Sequence, residues 1–398
     1  MKVAVIGAGL GGLTSAAILS QKGYQVDVYE RLPFPGGRFT SINYKDYQIS
    51  TGALHMIPHG KRGPLAQLLK QVGAEVEIED SKPDGEALWE GERCSLRRKN
   101  FPLSSKIKLA QWTLLYKALR LDRPLDKFED GLDPFTANFL RSFLGWSLSV
   151  TSSDLKFSKF LSIGQKLEKY KGPGVPVGGC KSVTDSLIDV IKSNDGTVSL
   201  NRKVEGIISK DYTVKGLKVR GQDKHYDLVL SNLGHEATAK MLNDRGYEQQ
   251  LSNLEASSGI KFSISLDEPF VGHNGILFTP ELERISGLNE VTNTDPHLAP
   301  GGKHLLMAHQ PVLTSNLKYE IYSGLNELKN ILKKYKYEVI AIQSYSNGWP
   351  VNRVKAGSDI GNKTPYKNLY VVGDGAKGDD IEVDGIAMGI SNLMRDLL

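Results

Sequence analysis

Residues 2–38 read KVAVIGAGLGGLTSAAILSQKGYQVDVYERLPFPGGR. Lys2 to Ile6 is a short apolar run, as a strand buried in a parallel sheet requires. Gly7-Ala8-Gly9-Leu10-Gly11-Gly12 follows, with Gly7, Gly9 and Gly12 in GxGxxG spacing, and an Ala- and Leu-rich helix runs to about Lys22. A second apolar run, Val26 to Tyr29, ends at Glu30 and Arg31. Gly7 permits the tight strand-to-helix turn, Gly9 lets backbone approach a pyrophosphate, and Gly12 lets the helix pack close to the sheet. The helix N-terminus offers free N–H groups and a positive dipole end to phosphates. Glu30 lies where a carboxylate accepts from ribose hydroxyls. Strand, loop, helix, strand and acid in this order point to a dinucleotide.

The residues that follow choose among dinucleotides. Pro35-Gly36-Gly37-Arg38 comes almost at once after Glu30. Adjacent glycines let backbone pass beside a ligand, and Arg38 can offer a bidentate charge to phosphate. Standing alone, the loop also reads as a glycine turn with a solvated arginine. Near the other end, NLYVV at 368–372 reads as a buried strand, followed by Gly373-Asp374 and a last helix that begins near Gly385-Ile386-Ala387. Gly373, Gly375 and Gly378 also spell GxGxxG. The acids that follow, Asp379, Asp380, Glu382 and Asp384, would repel a pyrophosphate, so this is not read as a second nucleotide site.

Together these blocks resemble the FAD family that contains amine oxidases, protoporphyrinogen oxidases and phytoene (carotenoid) desaturases. The resemblance implies an α/β chain: a Rossmann-like FAD-binding domain of the glutathione-reductase type, interleaved with a second α+β substrate domain. It assigns 1–60, 176–240 and 345–398 to the first and 61–175 and 241–344 to the second. It implies FAD contacts at Gly7, Ala8, Gly9, Leu10, Gly11, Gly12, Glu30, Arg31, Gly36, Gly37, Arg38, Gly52, Ala53, Leu54, Val204, Gly373, Asp374, Gly385 and Ile386. Val204 belongs to a strand-rich run from Val198 to Asn232 that is similar to the family's β-meander beside the adenine. Neither cysteine, Cys94 or Cys180, sits in a flavin-attachment motif of the family, so FAD is expected to be noncovalent.

Composition agrees with a two-domain protein. The chain has 398 residues, 40% of them apolar, a net charge of +5 and two cysteines. This charge is too mild to suggest nucleic acid. No apolar run of 18 residues or more occurs, no Cys/His cluster has metal spacing, and with a strand at Lys2 no signal peptide is expected. Two cysteines suit reduced thiols in the cytoplasm.

The first insertion reads as mainly helical. Ser104-Ser105 are positioned to cap a helix through Leu121, on which Ile107, Ala110, Leu114, Ala118 and Leu121 form one stripe at helical spacing. Arg97, Arg98, Lys99, Lys106, Lys108, Lys117, Arg120 and Arg123 crowd this stretch against Asp122 alone. Two readings stand: a solvated basic face over a helix buried in the lid, or an interfacial helix touching anionic lipid headgroups. In the second insertion, KFSISL at 261–266 and residues 338–344 read as strands, and Tyr319 to Tyr335 as a helix.

The resemblance implies that the chemistry is the flavin's: a hydride taken at N5 from a C–H bond beside nitrogen or in an activated C–C pair. Residues 49–56 occupy the place where relatives set a loop against the isoalloxazine. The candidate catalytic groups are therefore His55 and His59, with Glu382 and Asp384 on the other side of the cavity; His55 is also readable as a histidine bonded to backbone, and the two acids as solvated loop residues. Lys61 and Arg62 are candidates for an anionic substrate head, and Trp349 for the cavity wall. The expected substrate is an apolar, isoprenoid-like molecule or an amine. Electrons are expected to leave to oxygen, a quinone or a redox protein, with no nicotinamide site of its own. Two alternatives share the scaffold: a redox-neutral FAD isomerase or mutase, and a non-enzymatic prenyl- or GTPase-binding module. The Thr/His-Pro-Gly pattern that bacterial carotenoid desaturases carry after the terminal glycine is absent, and the chain is shorter than typical members, which argues against a long polyene tunnel.

Overall fold

The computed structural model describes residues 1–97, 100–252, 254–346, 351–352 and 354–398. Trp349, Arg98 and Lys99 lie outside the described residues. The expected first strand, helix and second strand are Lys2–Ile6, Leu10–Gln21 and Gln25–Tyr29. Lys2–Ile6 is the middle of a five-stranded parallel sheet in the order Leu369–Val371, Leu228–Ser231, Lys2–Ile6, Gln25–Tyr29, Thr197–Ser199. A strand paired on both edges and covered on both faces has no wet surface, and Val3, Ala4 and Val5 are fully buried. Helix Leu10–Gln21 is buried on nearly every side because two further helices, Gly179–Ser193 and Glu382–Leu397, pack against it.

The two ends of the strand-rich run from Val198 to Asn232 belong to this sheet and not to the meander. Leu228–Ser231 is buried throughout and pairs with Lys2–Ile6, and Thr197–Ser199 extends the far edge. The antiparallel meander is Val204–Lys210, Thr213–Val219 and Gln222–His225. The last of these is a polar, mostly exposed strand whose sequence carries no apolar signal.

The second layer is a seven-stranded sheet, in the order Tyr337–Tyr345, Gly259–Leu266, His304–Pro311, Gly287–Glu290, Ile276–Phe278, Gly85–Trp89, Glu92–Ser95. The first insertion is thus less helical than expected: it supplies two strands here, and Ile78–Asp80 pairs with Gly174–Pro176. These strands are three to five residues long, too short to show alternation. Helix Pro64–Gln71, expected in the lid segment, packs on the parallel-sheet layer through Leu65, Leu68 and Leu69.

The basic helix is Leu103–Leu119, and its cap departs from expectation. No side chain caps it: Pro102 stands at the cap, and Ser105 Oγ donates to the Asp133 carboxylate. The apolar stripe does not face the protein. Ile107, Leu114 and Leu121 are exposed, as are Leu103 and Leu119. The inward face is Ser105, Trp112 and Tyr116, with the Trp112 ring 5.5 Å from Phe128 and 5.4 Å from Phe157. Aromatic area replaced the leucine stripe as the inner contact.

Candidate active site

At the dinucleotide end, the expected residues converge. Ala8 N–H donates to Glu30 Oε2 (2.8 Å) and Leu32 N–H to Glu30 Oε1 (2.9 Å), so the acid ties the glycine loop to the end of the second strand. Gly36 N–H donates to Ala8 O (2.6 Å), which lays the GGR turn over that loop. Arg202 N–H donates to Glu30 O (2.7 Å), which brings Val204 alongside. The two ends of the fingerprint touch: a Cβ on Gly11 would stand 2.5 Å from Gly373 Cα. Asn232, which sequence reasoning passed over as a strand residue, bridges them. Its amide donates to Val372 O and accepts from Gly9 N–H, both at 3.1 Å. Arg31 is exposed.

A cavity of about 1120 Å³ lies at the other end of the expected cofactor path. Arg38, Gly52, Ala53, Leu54, Asp374 and Ile386 line it, while Gly7 to Gly12, Glu30 and Val204 do not. Its far wall is aromatic and aliphatic, with Phe139, Phe143, Trp146, Phe278 and Leu96. Arg38, expected at phosphate, instead donates to the Asp374 carboxylate and to Val351 O. Lys377 completes this group: its Nζ donates to Asp374 Oδ1 (2.7 Å) and lies 3.5 Å from Asp359. Burial alone would raise the Asp374 pKa, but Lys377 and Arg38 hold it well below the usual carboxylate range.

The last helix begins at Glu382, three residues before the expected start. Glu382 is therefore in the first turn, not ahead of the helix, and it lines the cavity. The residue is half-buried. Burial pushes its pKa up to about 7, against Lys377. Asn352 Nδ2 donates to Glu382 Oε1 (3.1 Å). Glu382 also holds a left-handed backbone, φ +47, which a residue with a Cβ rarely adopts and which marks a site where side-chain placement outweighs local strain.

The other catalytic candidates are corrected. Asp384 faces away from the cavity, accepting from His59 N–H (3.0 Å) and Leu65 N–H (2.8 Å). His59 Nε2 meets Asp380 Oδ1 at 2.9 Å. Burial disfavours a charge on His59, but the Asp380 carboxylate outweighs it and raises the imidazole pKa. This buried His59–Asp380–Asp384 group is a strut between residues 59–65 and the last helix. His55 is also fully buried, with Nε2 3.3 Å from Ser41 Oγ, and it does not line the cavity. Burial, then Lys261, lowers its pKa to about 3, so it stays neutral. Lys61 and Arg62 pair with Asp80 outside the cavity. Gly385 lies inside the helix, packed under the Asp380 carbonyl.

Lys261 is the buried group the sequence did not announce. It is fully buried on Gly259–Leu266, and its Nζ donates to Ser50 O (2.5 Å), Ser50 Oγ (2.7 Å) and Gly52 O (2.9 Å). It clamps the Ser50–Gly52 turn behind the cavity wall, and burial lowers its pKa to about 7. A lysine in an alternating strand carries no sign of this, because its partners are backbone carbonyls two hundred residues away.

The residues fit a flavin dinucleotide. Helix Leu10–Gln21 begins in buried surroundings with no side-chain cap, so its first N–H groups suit a phosphate. Beyond it, the cavity wall at Gly52–Leu54 and Ile386 suits a flat apolar ring. Glu30→Gln tests the far end. The amide loses the charge and turns one acceptor into a donor facing Ala8 or Leu32 N–H. A charge-assisted bond contributes roughly 1.5–3 kcal/mol, so FAD affinity is expected to fall about tenfold or more by fluorescence titration. An unchanged dissociation constant would mean that the carboxylate serves the loop alone.

Comparison with known proteins agrees. Residues 5–72 match the NAD(P)-binding Rossmann-like domain, and residues 121–376 match the flavin containing amine oxidoreductase family. An uncharacterized protein of Methanocaldococcus jannaschii is 43% identical, over 99% of both chains. The crystal structure of an oxidoreductase from Methanosarcina mazei superposes with a TM-score of 0.94 at 41% identity, covering 99% of this chain and 100% of that one. Phytoene desaturase (neurosporene-forming) of Cereibacter sphaeroides is 23% identical, over 77% of this chain and 72% of that protein. A family match over more than half of its length shows that the chain belongs to the flavin containing amine oxidoreductase family and is an FAD-dependent oxidoreductase.

Proposed function

We propose that this enzyme dehydrogenates an apolar substrate at the Gly52–Ile386 end of the cavity, with Glu382 as the group that takes the proton. One observation carries the reading: a large cavity walled by Phe139, Phe143, Trp146 and Phe278 holds one carboxyl group whose pKa burial has pushed up to about 7. FAD, when bound, supplies the acceptor for a hydride. The chain's residues do the rest. The aromatic wall holds the substrate and excludes water. Glu382 accepts, at a carboxylate oxygen, the proton leaving the carbon next to the one that loses hydride. Asn352 orients that carboxyl from Oε1. The bond between the two carbons gains the electron pair left by the proton, so one saturated bond becomes a double bond. The electron pair carried by the hydride leaves later to oxygen, a quinone or a redox protein.

The test is anaerobic mixing of the holoprotein with prenyl lipids, polyenes and amines, read at the flavin absorbance band. Bleaching by a prenyl lipid or polyene is expected. Bleaching by amines alone would overturn the apolar reading. Conversion of a substrate with no net bleaching, even transient, would favour the redox-neutral alternative. Saturable bleaching by NADH or NADPH would show that a nicotinamide uses the same cavity.

A further inference from the structure

We propose that the substrate carries an oxyanion head, a phosphate or a carboxylate, which Lys82 and Arg97 hold at the mouth of the cavity while its apolar tail runs along the aromatic wall toward Glu382. This deepens the apolar-substrate reading and rests on it for the tail. The mouth lies at the open end of a hairpin. Strands Gly85–Trp89 and Glu92–Ser95 pair antiparallel with Glu86 opposite Ser95, so the residues just before Glu86 and just after Ser95 leave the hairpin side by side. Lys82 and Arg97 stand on these two segments, both exposed and both lining the cavity. Leu96, next to Arg97, belongs to the apolar wall with Phe139, Phe143 and Phe278. The lining thus changes from hydrocarbon to cation within one residue.

The backbone beneath both cations is pinned. Ser81 Oγ donates to Asn274 O (2.9 Å), and Lys82 N–H donates to Asn274 Oδ1 (2.8 Å). On the other strand Asn100 closes a turn: its N–H donates to Arg97 O (2.9 Å) and its Nδ2 to Ser95 O (3.0 Å). Charge balance then separates these two cations from the others that line the cavity. At the inner end, Arg38 and Lys377 share Asp374. At the mouth, Asp84 has Arg62 and Lys171 as cationic neighbours, and Glu86 lies 3.3 Å from His273 and 4.0 Å from Arg93. Lys82 and Arg97 pair with no carboxylate among the described residues. Lys61 and Arg62, the cations expected to take an anionic head, are engaged by Asp80 instead. An oxyanion between Lys82 and Arg97 completes the balance, and a guanidinium fork matches two oxygens of either head group. An ammonium head would meet two unopposed like charges there.

Equilibrium dialysis of the holoprotein, below micelle-forming concentrations, tests this with probes that share one tail: geranylgeraniol, geranylgeranyl phosphate and geranylgeranoic acid. At low salt at least one acidic probe is expected to bind about tenfold or more tighter than the alcohol, and to lose most of that advantage at high salt. Whichever acid gains more identifies the head as phosphate or carboxylate. Lys82→Ala/Arg97→Ala is expected to bring the acids down to the affinity of the alcohol. Both side chains stand at the surface, so flavin content and melting temperature are expected to stay those of wild type. Equal affinity for all three probes, no binding of any, or an advantage that survives in the double variant would overturn the proposal. The two readings fail separately. Flavin bleaching by geranylgeraniol, with no preference for an acid, would keep the apolar substrate and reject the head site. Binding of an acidic probe that depends on Lys82 and Arg97, with no probe ever reducing the flavin, would keep the head site and reject the dehydrogenation reading.

Discussion

Glu382→Gln is expected to slow anaerobic flavin reduction by about 10²–10⁴-fold at and above pH 7, and to remove the pH dependence near neutrality. The carboxyl is raised to about 7 by burial, so it is protonated below that pH and ionised above. As the acceptor of a substrate proton it works only when ionised. The wild-type rate therefore rises with pH through about 7, and the variant's does not. Glutamine keeps the size, the Asn352 neighbour and the left-handed backbone, so flavin content serves as the control. Stability moves the opposite way. A carboxyl with its folded pKa raised contributes stability below its unfolded value and loses it as pH rises through the folded value. From the ordinary value of 4.5 to about 7, this loss is about 3 kcal/mol. The variant should thus gain on wild type in denaturant titrations between pH 5 and pH 8. Stopped-flow rates with an unchanged limb near pH 7 would remove Glu382 from the chemistry.

Asp374→Ala is expected to cost about 3–5 kcal/mol of folding stability, because it strips a shared counter-charge from two cations. Lys377 is almost fully buried, with Val354 O, Asp359 and Asp374 around its Nζ, and Arg38 donates to the same carboxylate. Without Asp374 the ammonium keeps only Asp359 as a partner charge among these contacts. Removing one partner of a buried pair leaves the other's desolvation unmatched. Denaturant titration measures the effect; a loss under about 1 kcal/mol would mean that Asp359 suffices. The pH dependence has a definite sign. The Asp374 pKa is depressed, so its contribution is present above the ordinary carboxylate value and disappears as pH falls through the folded one. Asp374→Asn should show a shallower acid limb than wild type.

What the sequence made legible was whatever has a short-range signature. The strand–GxGxxG–helix–strand–Glu30 block is local, and the structure reproduces its elements within a residue or two. The end strand and Asp374 were legible by the same logic. The placement of His55 and His59 was not, because a loop sequence does not say which way each side chain points. Leu54 and Met56 line the cavity, while His55 between them points into the protein. The start of the last helix was placed too late for a different reason. Gly385 attracted the boundary, yet the helix opens on Glu382, an acid whose strained backbone no propensity scale would favour. Lys261, Asn232 and Lys377 act through partners distant in the chain or through a buried ion group, and no periodicity reports either. The outward stripe on Leu103–Leu119 is the instructive case. Helical spacing identified the shared face and left open which way it turns, since periodicity says which residues share a face but not what that face meets.

The interleaved parallel sheet has a consequence for how this protein is made. Lys2–Ile6 finds one neighbour, Gln25–Tyr29, almost immediately, but its other neighbour is Leu228–Ser231. At about 5–20 residues per second, the central strand waits on the order of tens of seconds on the ribosome with one apolar edge unpaired. Leu369–Val371 then has to join Leu228–Ser231 before Gly373 can seat against Gly11. No shorter nascent chain holds both halves of the cofactor cradle. FAD therefore meets its complete cradle only once Leu369–Val371 and Gly373 have been made and have closed against Leu228–Ser231 and Gly11.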